Sequence, residues 1–575
     1  MSFKTEYERW RAYFALDADS RRELDAIEND PDTIALRFGA PMSFGTAGLR
    51  STMYAGIACM NEYTVAQATQ GMAVLVKKQG GEARGVAIAY DSRNNSQFFA
   101  QVSAEVLAAN GIRVFLFDGV RPTPELSFAV RECGCMAGIN ITASHNPKEY
   151  NGYKAYWEDG AQLSPEHSAV VAEAIAAVDV LGGALRMPLD DAIGAGLVTM
   201  LDEAFDERYL SSVLKTAISP ETVAKVANDL KIVYTPLHGA GYRLVPEILR
   251  RMGLANLYTV PEQMVLDGNF PTVPKPNPEY ENVFALGIEI AKREGSDLII
   301  ATDPDADRVG VMSRTKDGGF ATITGNQMGA LLLDYVITAR REKGMLPLGS
   351  YAVKSIVSTA LAAKIAEDNG VRLYDVFTGF KFIGEVIKNY EESGKEGDFL
   401  CGFEESYGYL FGTYARDKDA VGATMMIVEM TAYYRLRGMT LSDALEALYL
   451  KYGFYREGVL DVYMEGIDGS ARLAALMKSL RTSPLSEFAG DKIASVTDHS
   501  LGYTLSLASG EKTPTGMGRS NVLYYTLDCG NKVIVRPSGT EPKIKFYFLC
   551  RGDDREKLSE TIQKYQKAAE KLTEG

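Results

Sequence analysis

Apolar and polar positions along the chain change period several times, and each change marks an element. Tyr7, Trp10, Tyr13 and Phe14 recur at helical spacing, as do Leu24 and Ile27, which predicts an amphipathic helical leader over residues 1–38 packed on the main body. Beyond it, short apolar runs are followed by helical stretches: a strand at 86–90, a helix near 96–110 and a strand at 112–117. Further strands are predicted at 138–142, 232–234, 298–301, 399–401 and 533–535. This alternation predicts an α/β protein with largely parallel sheets. Every one of these strands runs into a polar loop rich in glycine or proline, and in open α/β sheets ligands sit beyond the carboxyl ends of strands. Composition shifts, such as the Gly/Ala-rich region around 182–196, suggest units at 39–210, 211–325, 326–455 and 456–575. No fixed-period repeat or low-complexity tract is visible.

Four of the loops carry candidate chemistry. The first, ITASHNPKEYNGYKAYW, presents Ser144 beside His145 and reaches Lys154 ten residues on. A serine needs an activating neighbour to act as a nucleophile, and the loop taken alone reads equally well as an ordinary Asn-Pro and Asn-Gly turn. It lacks the GxSxG of an esterase elbow. In the second, LIIATDPDADRVG, Asp303, Asp305 and Asp307 follow an apolar strand at alternate positions. Three carboxylates so close together repel one another unless a cation lies between them, which points to a hard divalent metal. A calcium EF-hand also begins D-x-D-x-D, but it needs Gly at its sixth position and Glu at its twelfth, where this loop has Arg308 and Arg314. Magnesium, which commonly completes its shell with phosphate oxygens and water, is the better match. The third loop, CGFEESYGY, offers Glu404, Glu405 and Ser406 to sugar hydroxyls, although a solvated acidic turn reads the same way. The fourth, VIVRPSGTEPKIKFYF, sets Arg536, Ser538, Gly539 and Thr540 between two apolar strands, which a purely structural hairpin loop would also explain. A guanidinium fork, two hydroxyls and a glycine amide suit a phosphate monoester.

Size and charge narrow the classes. With 575 residues and 46% hydrophobic content, the chain has material for three or four domains. The net charge of −14 disfavours nucleic acid and anionic lipid as partners, while a small anion needs only a few well-placed Arg and Lys residues. The six cysteines are scattered, with no CxxC pair or zinc spacing. The charged start MSFKTEYERWRAYF has no signal-peptide core, and no run approaches a membrane span. A reducing cytoplasm is the expected compartment.

Taken in order, GTAGLR (45–50), TASHNP with NGYK, DPDADR, TGFKFIG (378–384), FEES and RPSGTEPK resemble the α-D-phosphohexomutase superfamily, closest to its phosphoglucomutase and phosphopentomutase branch, across residues 45–547. The resemblance implies four domains around a central cleft: three mixed α/β sheet domains and a smaller α+β C-terminal domain that closes over the substrate. It implies that Ser144 is a phosphoserine, that Ser144, Asp303, Asp305 and Asp307 hold one magnesium ion, and that Arg50 and Arg308 lie near the transferring phosphoryl group. His145 and Lys154 match its proton-transfer candidates, with the choice between them open. Lys381, Glu404 and Ser406 match sugar and sugar-phosphate contacts, and Arg536, Ser538, Gly539 and Thr540 the holder of the non-reacting phosphate. Ala420 follows the RDKD of residues 416–419 where relatives often have glycine.

The implied activity interconverts a sugar 1-phosphate and 6-phosphate through a bisphosphate, with sugar 1,6-bisphosphate as activator and a monomer or homodimer as the assembly. Glucose phosphate is the first choice of substrate, ribose or deoxyribose phosphate the second and mannose phosphate the third. A sugar-bisphosphate synthase remains an alternative, as does a silent phosphosugar-binding protein, although such a protein would be expected to lose Ser144 or one of the aspartates. Kinase and P-loop motifs are missing.

Overall fold

A computed structural model describes residues 2–574 except 47, 396, 465–468 and 539–542. The leader forms three short helices, Phe3–Ala12, Ala18–Ala26 and Pro31–Phe38, capped by the side chains of Ser2, Asp17 and Asp30. Tyr7, Trp10, Leu24, Ile27, Ile34 and Phe38 share one buried cluster. Phe14 does not join them: the chain leaves helical geometry at the cap Tyr13, and Phe14 is left 91% exposed.

Four sheets follow: the first three are mixed, with parallel centres and antiparallel edges, as the resemblance implies, and the fourth is antiparallel. In the first sheet, Ala137–Ile141, Val86–Tyr90, Val114–Phe117 and Val198–Leu201 run parallel, whereas Tyr150–Trp157 and Leu49–Thr52 are added antiparallel on one side. The second repeats the plan. Leu298–Thr302, Lys231–Thr235 and Asn256–Thr259 are parallel, and Val309–Arg314 with Phe320–Ile323 forms the antiparallel edge. The third has Tyr351–Ser355, Arg372–Val376 and Phe399–Glu404 parallel, with Gly408–Leu410 returning antiparallel. The C-terminal sheet is antiparallel throughout and carries the hairpin Lys532–Pro537 with Lys543–Gly552. The central strands are buried from end to end, which is why they read as continuous apolar runs and not as alternating ones. The helix Glu203–Leu214 crosses the boundary expected at 210, and the strand Phe454–Tyr463 contains the one expected at 455.

The cores divide the molecule unevenly. One continuous apolar cluster runs from Ala87 through Tyr234, Leu333 and Phe403 to Tyr452, so the first three sheets are joined by shared core. The C-terminal sheet has its own cluster, including Leu523, Phe546 and Tyr565. Among the described residues, a small patch with Ile356, Val357 and Phe377 on one side and Val522, Ile534 and Tyr547 on the other packs it onto the third sheet. The connection between them is Gly453, whose φ of 91° and ψ of 168° suit glycine alone.

Candidate functional site

All four candidate loops turn out to be hairpin connections, and the first three join a central strand to the antiparallel strand beside it. The Ser144 loop links Ala137–Ile141 to Tyr150–Trp157, and the aspartate loop links Leu298–Thr302 to Val309–Arg314. Ser144, Ala306 and Tyr407, one in each of the first three, hold left-handed φ angles of 51°, 49° and 67°. For residues other than glycine such angles carry strain that the surroundings must offset.

The first two hairpins meet tip to tip. Ser144 Oγ donates to Asp303 Oδ2 at 2.7 Å and lies 3.1 Å from His145 Nδ1. Lys154 is not in the loop but on the returning strand, where its Nζ reaches Asp305 Oδ2 at 2.7 Å and Asp307 Oδ2 at 3.2 Å. Thr123 Oγ1 also donates to Asp305 Oδ2, at 2.7 Å. Arg50 Nη1 donates to Asn146 Oδ1 at 3.0 Å. Its approach depends on Gly48: φ there is +78°, and a Cβ would fall 1.8 Å from the carbonyl oxygen of Tyr153. Arg308 pairs with Glu279 and faces the same space.

Asp303, Asp305 and Asp307 are almost completely buried, with carboxylate oxygens all within 4.8 Å of one another. Burial, then the charges of Asp305 and Asp307, push the Asp303 carboxyl well above the usual range. Burial acts against ionisation of Asp305 too, but Lys154 and Thr123 outweigh it and hold that carboxyl below its ordinary value. Burial, followed by the charges of Arg308 and Arg50, lowers His145 well below the ordinary imidazole value, which favours the neutral ring. Asp305 Oδ1 and Asp307 Oδ1 are buried with no hydrogen-bond partner. Orphaned anionic oxygens in an all-oxygen donor set fit a hard divalent cation.

His145, Arg50 and Arg308 open onto a cleft of about 1290 Å³ lined by residues from all four sheet units. Ser406 lines it, whereas Glu404 lies behind it, accepting from the Gly379 amide at 2.7 Å with its carboxyl raised by burial. Arg536, Ser538, Lys543, Lys545 and Tyr547 line the C-terminal wall. Gly539 and Thr540 lie outside the described residues. Lys381 is not brought to this lining; its Nζ sits 5.0 Å from the centre of the Phe382 ring.

The RDKD run holds a lysine whose role the sequence does not reveal. Lys418 Nζ lies 3.2 Å from Asp307 Oδ2 and 2.9 Å from Asp417 Oδ1, so it is a second cation on the aspartate group. The run DSRNNS, after the strand Val86–Tyr90, carries no motif that singles it out in the sequence. It supplies Arg93, whose buried guanidinium donates to the carbonyl oxygen of Ser144. A polar loop at a strand's carboxyl end was the available signal for it.

The comparisons with known proteins agree with this geometry. Residues 41–180, 207–318 and 324–452 match, in order, α/β/α domains I, II and III of phosphoglucomutase/phosphomannomutase. A phosphoglucomutase of Staphylococcus saprophyticus is 35% identical over 526 residues, covering 92% of this chain and 93% of that one. One from Staphylococcus haemolyticus is 36% identical over 533 residues, covering 92% and 94%. Paramecium parafusin, a phosphoglucomutase solved in an open form, shares the fold with a TM-score of 0.68 at 17% identity, over 93% of this chain and 96% of that one. A family protein of Burkholderia thailandensis does so with a TM-score of 0.64 at 18% identity, over 92% and 97%. The fold and the hairpin site define a member of the α-D-phosphohexomutase superfamily. Within it, the chain belongs to the phosphoglucomutase/phosphomannomutase family.

Proposed function

We propose that the protein is a phosphoglucomutase-type enzyme that interconverts glucose 1-phosphate and glucose 6-phosphate through a phosphorylated Ser144. The observation that carries this reading is the 2.7 Å contact of Ser144 Oγ with a buried aspartate cluster, at a cleft whose other lining includes Arg536, Ser538 and Lys543. The close relatives named phosphoglucomutase support glucose as the sugar.

In the forward half-reaction a free sugar hydroxyl attacks the phosphorus carried by Ser144. The bond from phosphorus to Oγ breaks, the bond to the sugar oxygen forms, and the hydroxyl proton leaves to a base. His145 suits that role better than Lys154, because it faces the cleft while Lys154 Nζ is committed to two carboxylates. Arg50 and Arg308 are placed to meet the phosphoryl oxygens. Ser144, Asp303, Asp305 and Asp307 would hold the divalent ion, which neutralises charge on the transferring group. Arg536 and Ser538, with Gly539 and Thr540, would grip the phosphate that is not transferred, and Ser406 and Glu404 the sugar. The resulting bisphosphate turns over in the cleft and returns its other phosphate to Ser144. Sugar 1,6-bisphosphate therefore acts as the activator of an enzyme whose serine is bare. The six free cysteines support a reducing, cytoplasmic setting.

The test is substrate with a labelled phosphate. Label should appear on Ser144 and mix between substrate molecules over many turnovers, and catalytic amounts of bisphosphate should restore dephosphorylated enzyme. Full activity in Ser144→Ala, or label that never leaves its original sugar, would overturn the reading.

A further inference from the structure

We propose that Arg93 is a positioning residue for phosphoryl transfer, pinning the nucleophile loop and fixing it against the metal-binding unit; this rests on the reading that Ser144 carries the phosphoryl group. The Arg93 side chain is fully buried, with 0% exposure, and its two terminal nitrogens are spread over four main-chain carbonyls of one loop. Nη1 donates to Pro147 O at 2.9 Å and Tyr150 O at 3.1 Å, while Nη2 donates to Ser144 O and Asn146 O. One planar fork therefore sets the path of the chain from the nucleophile to the start of the returning strand. A lysine ammonium could not reproduce it, because its donors radiate from a single atom.

The same group is tied to the nucleophile by a second route. Asp91 Oδ2 lies 3.3 Å from Arg93 Nε and accepts from Thr142 Oγ1 at 2.6 Å. Thr142 Oγ1 in turn accepts from the amide of Ser144 at 2.8 Å. Ser144 is thus gripped at both its amide and its carbonyl by one buried ion pair. That grip accounts for how the loop holds a serine at a φ of 51°.

The third observation is that Arg93 also touches the other half of the site. The face of Phe270, from the unit that carries the aspartates, lies 5.0 Å from the Arg93 guanidinium, a cation–π contact. Beside it, Gly268 approaches so closely that a Cβ would fall 2.2 Å from the Asn94 amide nitrogen, and Asn94 Nδ2 donates to Asn269 Oδ1 at 3.2 Å. Arg93 therefore sits where the alignment of Ser144 with Asp303 is set, and misalignment of about 1 Å at a reacting centre can cost on the order of a hundredfold in rate.

The test is steady-state kinetics on Arg93→Lys with sugar 1-phosphate, alongside its melting curve and the rate at which labelled bisphosphate loads Ser144. Loss of charge-assisted bonds should lower kcat and the loading rate by about tenfold to a hundredfold, while KM stays within about twofold because the far phosphate grip is untouched. A merely structural role would reduce the active fraction, which titration of loadable Ser144 reports, and leave kcat per active site unchanged. A folded Arg93→Lys with wild-type kcat per active site would overturn the proposal. Should that variant not fold, Phe270→Leu is judged by the same split: a severalfold loss in kcat alone upholds the proposal, and wild-type kcat sinks it. Ser144→Ala, run in parallel, separates the two readings, since its activity would remove the phosphoserine itself, whereas an inert Ser144→Ala beside a wild-type-like Arg93→Lys removes only the role of Arg93.

Discussion

Asp305 shows how a single side chain in this site answers to several partners. It accepts from Lys154 and Thr123 through one oxygen and leaves the other buried and unpaired. Removing it altogether would leave Lys154 with Asp307 alone, and breaking a buried ion pair typically costs about 3–5 kcal/mol. Asp305→Ala therefore confounds catalysis with stability. Asp305→Asn keeps the volume and an acceptor oxygen, and its kcat should fall by roughly a hundredfold or more, with weakened magnesium activation and a fold retained by circular dichroism. Wild-type turnover in that variant, or full activity after exhaustive chelation, would remove the metal from the chemistry. The three aspartates were legible because alternate carboxylates after an apolar strand have few explanations. Lys418 and Arg93 were not, since a lone basic residue in a polar loop looks like solvated surface until its partner segment, that of Asp307 for Lys418 and of Ser144 for Arg93, is folded against it.

The hairpins make the same point for whole segments. Strands were readable from apolar runs, but the direction of the returning partner was not, because a β-strand pattern is the same whichever way the strand runs. The first three site loops therefore carry no sign in sequence of the antiparallel return, and they are hairpin tips. The helical leader was readable as amphipathic but not as three pieces, since the break at Tyr13 lies within an unbroken run of aromatic spacing. At the junction Leu441–Tyr452, Gly453, Phe454–Tyr463, a single glycine links the three-sheet body to the C-terminal unit. Gly453→Ala forces a side chain into a conformation that costs about 1–3 kcal/mol. We expect KM for the sugar phosphate to rise severalfold with little change in the rate of Ser144 loading. Unchanged KM would mean that the backbone geometry at Gly453 does not set how the C-terminal unit meets the cleft.

Glu457 lies on the first strand of the C-terminal unit and lines the cleft, with one carboxylate oxygen buried and without a hydrogen-bond partner. Burial raises its carboxyl to about 7, against the opposing effects of Thr359, Lys354 and Arg456. A carboxyl raised in the folded state binds its proton more tightly there than in the unfolded chain. Its contribution to stability is therefore most favourable below the ordinary carboxylate value of about 4.3, declines as pH rises, and levels off above about 7. Melting temperature should fall less steeply between pH 5 and pH 7 in Glu457→Gln than in the wild type, and identical slopes would rule out the shift. The molecule as a whole also carries a schedule in its topology. The Ser144–Asp303 hydrogen bond joins positions 159 residues apart. At roughly 5–20 residues per second, a ribosome needs on the order of 10–30 s to bring the second partner into being after the first. Throughout that interval the Ser144 loop is made but the aspartates it faces are not, so the site exists only once both sheet units have been synthesised.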